Sequence, residues 1–185
     1  MDIRQQRDAL FERRTSSLEL VGSCLARIAD PAGEGRRTFT RVWGDQARTV
    51  ARAQDDLRDA GYATSPLAGI PISVKDLFDV EGEITLAGTK ALDDALPAVA
   101  DAPVVKRLKA AGAVLVGRTN MTQFAFSAVG INPHFGTPGN PWDRSRIPGG
   151  SSSGAAVSVA DGMATAALGS DTVGSIRVPA ALCGI

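Results

Sequence analysis

Near the start of the chain, apolar residues recur at steps of three and four positions: Leu18, Val21, Leu25 and Ile28. Ser16 and Glu19 stand in the S-x-x-E spacing of a capping box, so this stretch predicts a helix that ends near Asp30. A second helix is predicted from Asp45 to Ala60, with Gly61 as its C-terminal cap. Residues 1–62 are therefore interpreted as a helical N-terminal region.

From residue 67 onward the pattern changes to short apolar strands alternating with helices. The stretch Gly69 to Val74 is apolar and rich in β-branched residues, as a strand buried on both faces is, and Lys75 follows directly at its end. A helix capped by Asp101 and a second apolar strand, Ala113 to Val116, are predicted next.

The remaining segments complete the same alternation. They are predicted as a short helix (Thr119–Ser127), a long ordered loop (Gly130–Gly150), a helix of small residues (Ser152–Ala160), a strand (Met163–Leu168) and a turn (Gly169–Arg177). The sequence thus predicts an α/β core over residues 63–185, with a mixed, largely parallel sheet flanked by helices.

Composition places the chain among ordinary globular domains and excludes several classes of function. Of the 185 residues, 20 are Lys or Arg and 20 are Asp or Glu, so no net field draws the chain to a polyanion, and direct nucleic-acid binding is not expected. The only histidine is His134 and the only cysteines are Cys24 and Cys183, which leaves no clustered ligand set for zinc. We therefore expect neither a metal nor another cofactor.

The N-terminal residues are charged throughout and lack the apolar stretch of about 7–15 residues that a secretory signal needs. No apolar run reaches the roughly 18 residues of a membrane helix. A cytoplasmic location without membrane contact is expected, with Cys24 and Cys183 as buried free thiols.

Two turns rich in glycine and serine carry the candidate chemistry. The first, Gly149 to Gly154, opens a helix, where backbone N–H groups suit an anion or a developing oxyanion; a flexible linker is the alternative interpretation. The second places Ser175 beyond the carboxyl end of a predicted strand, where open α/β sheets bind ligands. A nucleotide site is disfavoured because neither the Walker pattern nor GxGxxG is present in the required context.

A nucleophilic serine needs a base, and Lys75 at the end of a strand is one candidate. A lysine just past a strand is more often simply solvated. His134 is the other candidate base, although its loop position favours a structural or substrate-lining role.

Several separated motifs together resemble the amidase signature family. They occur in that family's order and extend over nearly all of the chain after Ser16: Pro71–Asp76, Gly112–Met121, Asn132–Pro138, Asn140–Asp143, Gly149–Gly154 and Gly169–Gly184. The resemblance implies amide hydrolysis of a small-molecule substrate by a Ser-cisSer-Lys triad. The matching positions are Ser175 as nucleophile, Ser151 as bridging serine and Lys75 as base.

The resemblance implies further roles around this triad. Backbone N–H groups of Thr172, Val173 and Gly174 match the oxyanion hole. Residues that match supporting positions are Ser152, Asp171 and Arg177, which also suit plain capping and turn roles. The peptide bond before Ser151 is expected to be cis, and the reaction to pass through an acyl-enzyme.

Two features depart from the family pattern. Val173 stands where the family usually has a glycine, which would strain the oxyanion hole if that position requires a positive φ. The sequence also stops at Ile185, where family members continue, so it resembles the N-terminal portion of such an enzyme. An open sheet edge would then favour self-association, and a homo-oligomer is one expectation.

Two alternatives to a stand-alone amidase remain at this point. One is the A subunit of glutamyl-tRNA amidotransferase, whose members usually carry a loop rich in Ser, Thr, Glu and Asn where this chain has residues 127–134. That difference favours the stand-alone amidase. The other alternative is a non-catalytic, truncated fragment.

Overall fold

The computed structural model describes residues 2–62 and 65–185. In chain order the elements of these residues are α1 (Ile3–Phe11), α2 (Ser17–Ala29), α3 (Gly35–Thr38), β1 (Phe39–Val42), α4 (Gly44–Asp59), β2 (Pro71–Lys75), α5 (Pro103–Ala110), β3 (Val114–Thr119), a 3-10 turn (Gln123–Ala125), α6 (Ser153–Ala160), β4 (Ala166–Leu168) and α7 (Arg177–Cys183).

The four strands form one sheet in the order β1-β3-β2-β4. The pairs β2–β3 and β2–β4 are parallel, whereas β1 runs antiparallel to β3. The predicted mixed, largely parallel sheet flanked by helices is confirmed. The parallel strands β2 and β4 end at the same edge of the sheet, where Lys75 terminates β2 and Leu168 terminates β4.

Residues of the central strand β3 alternate between two apolar clusters. Val114 and Val116 pack with residues of α2 and α4, whereas Leu115 between them packs with residues of α5. This alternation is what a pleated strand produces when both of its faces are covered. It explains why residues 113–116 are apolar without interruption.

Both predicted N-terminal helices form, as α2 and α4, and the helices α1 and α3 were not predicted. Ser16 and Glu19 make the capping box of α2, and the helix ends at Ala29. Its first turn is also held by α4, because the Asp55 carboxylate accepts from the Ser17 amide at 2.8 Å and the Leu18 amide at 3.0 Å.

Strand β1 lies inside the interval interpreted as helical and was not predicted. Its sequence shows no alternation because Phe39 is its only buried residue. Docking of β1 depends on Gly117 of β3, where a Cβ would lie 2.4 Å from the Arg41 carbonyl oxygen. Only glycine permits so close an approach of the two backbones.

Four other local predictions differ from the structure. Asp101 does not cap α5; the N-cap is Ala102, and the Asp101 carboxylate accepts instead from the Glu81 amide and Lys109 Nζ. The predicted helix from Thr119 to Ser127 reduces to one 3-10 turn, in which Phe124 has φ of 51°. The third predicted strand shortens to β4, and α7 follows the final turn without having been predicted.

Two glycine-to-alanine substitutions in helices should have opposite effects on stability. At Gly154 in α6 a Cβ would lie 2.4 Å from the Thr38 carbonyl oxygen and 2.7 Å from the Asn120 amide nitrogen. Because backbone cannot move aside cheaply, we expect Gly154→Ala to lower the free energy of unfolding by about 2 kcal/mol or more. A Cβ at Gly22 in α2 meets nothing within 4 Å.

Gly22→Ala is thus the matched control, and it should stabilise the chain by about 0.5–1 kcal/mol through helix propensity. Urea unfolding of both variants beside the parent measures the two changes. Equal effects would contradict the contact that the structure places at Gly154.

Among the residues that the structure describes, no helix has both the length and the apolar character needed to cross a bilayer. Cys24 and Cys183 are free and buried, as expected. Burial raises the pKa of both thiols to about 11.

Candidate active site

Lys75 lies at the carboxyl end of β2 and is fully buried. Its Nζ donates to Ser151 Oγ at 2.8 Å and to Ser170 Oγ at 2.8 Å. Burial lowers the pKa of Lys75 to about 8, against the opposing effect of the Asp171 charge. Because pH 7 lies about one unit below this pKa, roughly a tenth of Lys75 is then the neutral amine that a general base requires.

Ser151 is held at the junction of two loops. The Gly150–Ser151 peptide bond is cis, as the sequence resemblance implied. The Ser151 carbonyl oxygen accepts from the Thr122 amide at 3.0 Å, and the Gly150 amide donates to the Ala128 carbonyl oxygen at 2.7 Å. The fully buried Ser151 side chain is thereby fixed against the lysine.

Ser175 lies in the next loop, between β4 and α7. Its backbone carbonyl oxygen accepts from the Ser152 amide at 3.1 Å, so the two serine-bearing loops are joined. Its half-buried side chain makes no hydrogen bond with Ser151, or with any other residue in the described ranges. The structure thus places Lys75 and Ser151 in direct contact and joins the backbone of Ser175 to Ser152, the residue after Ser151.

Asp171 organises the loop that carries Ser175. Its carboxylate accepts from the backbone amides of Gly174, Ile176 and Arg177, and from the Arg177 guanidinium at 3.0 Å through two nitrogens. The Arg177 side chain and these amides hold the pKa of Asp171 well below its usual range. An ionised Asp171 therefore satisfies the amide of Arg177, the first residue of α7, and fixes the turn before the helix.

Of the three backbone amides expected to form an oxyanion hole, only that of Gly174 already donates a hydrogen bond within the described residues. The Gly174 amide donates to Asp171 Oδ1 at 2.7 Å. In the part of the chain that the structure describes, the amides of Thr172, Val173 and Ser175 donate no hydrogen bond. Three amides in this turn therefore have no hydrogen-bond acceptor among the described residues.

The Val173 departure causes no backbone strain. Left-handed φ values occur at four described residues other than glycine, and Val173 is not among them. The left-handed position of the turn is Gly174, with φ of 122°. Glycine is thus retained where the backbone requires it.

Ser170 is the site residue that sequence reasoning missed. Its hydroxyl is the second partner of Lys75 Nζ, although the two residues are 95 positions apart. The glycine- and serine-rich turn was the available signal, but no spacing rule selects Ser170 within it. Ser152 lies over this residue, with its Oγ donating to the Ser170 carbonyl oxygen at 3.4 Å.

The other candidate base, His134, is not joined to this group. Its amide donates to Asn132 Oδ1, and its imidazole forms no hydrogen bond within residues 2–62 and 65–185. In those same ranges no three His, Cys, Asp or Glu side chains are close enough to hold a metal ion. The polar groups gathered at the candidate site are hydroxyls, the Lys75 amine, the Asp171 carboxylate and backbone amides.

The comparison with known protein families identifies the family of the chain. Residues 19–185 match the family model described as Amidase. The chain belongs to the amidase family. The amidase match includes every residue of the candidate site, from Lys75 to Arg177.

Several known proteins resemble the chain over nearly its whole length. It is 46% identical over 185 residues to the A subunit of glutamyl-tRNA(Gln) amidotransferase from Anaeromyxobacter dehalogenans, and covers 37% of that protein. It is 49% identical over 179 residues to the AtzE subunit of 1-carboxybiuret hydrolase from Pseudomonas sp. strain ADP, covering 96% of this chain and 39% of that one.

A solved structure of peptide amidase from Stenotrophomonas maltophilia superposes with a TM-score of 0.90 at 35% identity. It aligns with 99% of this chain, which corresponds to 38% of the peptide amidase. The chain therefore spans about two fifths of the length of the relatives that it matches.

Proposed function

We propose that the protein containing these residues hydrolyses the C–N bond of a small-molecule carboxamide, giving a carboxylic acid and ammonia or an amine. The observation that carries the proposal is the buried Lys75 Nζ at 2.8 Å from Ser151 Oγ, with the backbone of Ser175 hydrogen-bonded to the adjacent Ser152. An amine with a lowered pKa next to serine hydroxyls supports nucleophilic catalysis without histidine or metal. Membership of the amidase family supports the same reaction.

In the proposed first step, neutral Lys75 takes the proton of Ser151 while Ser151 takes that of Ser175. The Ser175 oxygen attacks the amide carbon, and the carbonyl oxygen becomes an oxyanion. The free amides of Thr172 and Val173 are the proposed donors to it, with the Ser175 amide beside them. Losing one such donor typically costs about 10²–10³ in rate.

The following steps reverse the proton path. The proton held by Lys75 returns through Ser151 to the leaving nitrogen, the C–N bond breaks, and an ester links the acyl group to Ser175. Water attacks this ester with the same relay as base, releasing the acid and restoring the Ser175 hydroxyl.

The residues proposed as supports act on the loop geometry. Asp171 and Arg177 hold the turn that presents Thr172 and Val173, and Ser152 joins this turn to the loop of Ser151. These residues position the reacting groups and do not exchange protons with substrate.

A trapping experiment tests the acyl-enzyme. An amide and an ester of the same acid are given to the full natural polypeptide in the presence of hydroxylamine, and hydroxamate and acid are quantified. If both substrates pass through one acyl-Ser175, the ratio of hydroxamate to acid will be the same for both. Ratios that depend on the leaving group would exclude a common acyl-enzyme.

A second candidate function is that of an amidotransferase component, favoured by the 46% identity over all 185 residues to the glutamyl-tRNA(Gln) amidotransferase relative. It predicts hydrolysis of glutamine that rises when a partner protein is added. Hydrolysis of simple amides by the isolated full polypeptide, unchanged by such a partner, supports the stand-alone amidase. Failure to hydrolyse either substrate would favour the non-catalytic alternative.

A further inference from the structure

Two fully buried serines join the strand that carries Lys75 to the helix that follows Ser151. Ser73 of β2 and Ser158 of α6 have their Oγ atoms 2.8 Å apart, and neither side chain is exposed to solvent. They lie 85 positions apart in the sequence.

The direction of this hydrogen bond follows from counting protons. Ser158 Oγ also lies 2.7 Å from the Ala155 carbonyl oxygen, to which it donates. A hydroxyl has one proton, so Ser158 has none left for Ser73. Ser73 is therefore the donor, and Ser158 accepts from the strand while donating to its own helix.

The position of the pair relates it to the reacting groups. Ser73 and Lys75 are two residues apart on β2, so both side chains lie on the same face of the sheet. On that face Ser73 contacts α6, and Lys75 contacts Ser151 in the loop just before α6. The Ser73–Ser158 pair and the Lys75–Ser151 contact therefore both join β2 to the segment formed by Ser151 and the helix α6 that follows it.

We propose that the hydrogen bond from Ser73 to Ser158 is a positioning device that holds Lys75 Nζ at proton-transfer distance from Ser151 Oγ. The inference rests on the amidase function proposed above. Two apolar side chains would fill the same space without fixing the distance between strand and helix, whereas a hydrogen bond restricts both distance and direction. Small displacements of reacting groups have large effects on rate.

The two serines differ in what their removal leaves behind. Ser73→Ala leaves Ser158 with its donor satisfied by Ala155, so no polar group loses its only partner. Ser158→Ala leaves the Ser73 hydroxyl buried without an acceptor, which carries the full cost of desolvation. Ser73→Ala is accordingly the cleaner test, and the double variant Ser73→Ala/Ser158→Ala removes the bond without an orphaned hydroxyl.

The test measures kcat, KM, the pH profile of kcat/KM and the melting temperature of the full natural polypeptide on one simple amide. Rates are corrected for the folded fraction. For Ser73→Ala and the double variant we expect kcat to fall about tenfold with little change in KM. The rising limb of the profile should move to higher pH, because a looser contact admits water to the Lys75 amine.

Ser17→Ala is the matched control. Ser17 is also fully buried, and its Oγ accepts from Arg58 Nη2 at 3.3 Å at the start of α2, in contact with neither β2 nor α6 through that hydroxyl. This variant should lower the melting temperature and leave kcat and the rising limb of the pH profile of kcat/KM unchanged.

If Ser73→Ala leaves kcat unchanged, or leaves the rising limb of the pH profile of kcat/KM where it is in the parent, the inference is overturned and the two serines have only a packing role. Lys75→Met serves as the reference for the proposed function itself. If Lys75→Met retains activity, the proposed base is wrong whatever Ser73→Ala does. If Lys75→Met is inactive while Ser73→Ala behaves like Ser17→Ala, only the positioning inference fails.

Discussion

Ser175→Ala is expected to lower amide hydrolysis by more than about a thousandfold while leaving the fold intact. The substitution removes the attacking oxygen, and loss of a catalytic nucleophile commonly costs at least that much. It removes no hydrogen bond within the described chain, because the Ser175 hydroxyl forms none there. The backbone bond from the Ser152 amide to the Ser175 carbonyl oxygen is unaffected by the change.

Steady-state hydrolysis of a simple amide, beside thermal unfolding, checks this result. Ser145→Ala is a suitable control, since Ser145 is an exposed serine whose hydroxyl donates to Asp143 Oδ1 within its own loop. Its activity should equal that of the parent. Retention of more than about a thousandth of the activity by Ser175→Ala would remove Ser175 from the role of nucleophile.

The second large effect concerns the base. If neutral Lys75 accepts the proton, kcat/KM should rise with pH and level off above about 8, where burial has placed the pKa of Lys75. The direction follows because the ammonium form has no lone pair to accept a proton. Lys75→Met keeps an unbranched side chain but has no titratable group, so we expect it to be inactive from pH 6 to pH 10.

Lys75→Arg should not restore activity, since a guanidinium stays protonated throughout this range. Lys90→Met, at an exposed lysine, should keep both the rate of the parent and the rising part of its pH profile of kcat/KM. If kcat/KM of Lys75→Met still rises with pH near pH 8, Lys75 is excluded as the titrating group and His134 becomes the candidate.

The same pKa gives the fold a pH dependence of its own. Folded Lys75 releases its proton near pH 8, whereas an unfolded lysine does so near its ordinary value of 10.5. Between these values the unfolded state binds more protons, so the free energy of unfolding should rise with pH, by a total on the order of 3 kcal/mol. Lys75→Met should lack this rise, which urea unfolding at a series of pH values would measure.

Local sequence was sufficient for elements whose signals lie within a few residues. The capping box at Ser16 and the apolar steps that follow it predicted α2, and the β-branched run ending at Lys75 predicted β2. The alternation of such segments also predicted the mixed, largely parallel sheet, because parallel strands need helical connections between them.

Elements that depend on distant partners were missed. Strand β1 has one buried residue and forms because Gly117, far along the chain, lets its backbone approach. Helix α7 contains Pro179, which weakens a helical pattern, and its first amide donates to an aspartate several residues before its start. Asp101 resembles an N-cap in sequence, yet Lys109 and the Glu81 amide are the partners it has in the folded chain.

The amino-acid sequence by itself determined which residues are available for chemistry: one histidine, few cysteines, a lysine at a strand end and serines in two glycine-rich turns. Only the tertiary structure decided that Lys75 meets Ser151 and Ser170 at 2.8 Å, and that a network of amides ties Asp171 to the turn before α7. The physical reason is that a lysine acquires a pKa near 8 through burial, and burial is created by segments that lie far apart in the chain and meet only on folding.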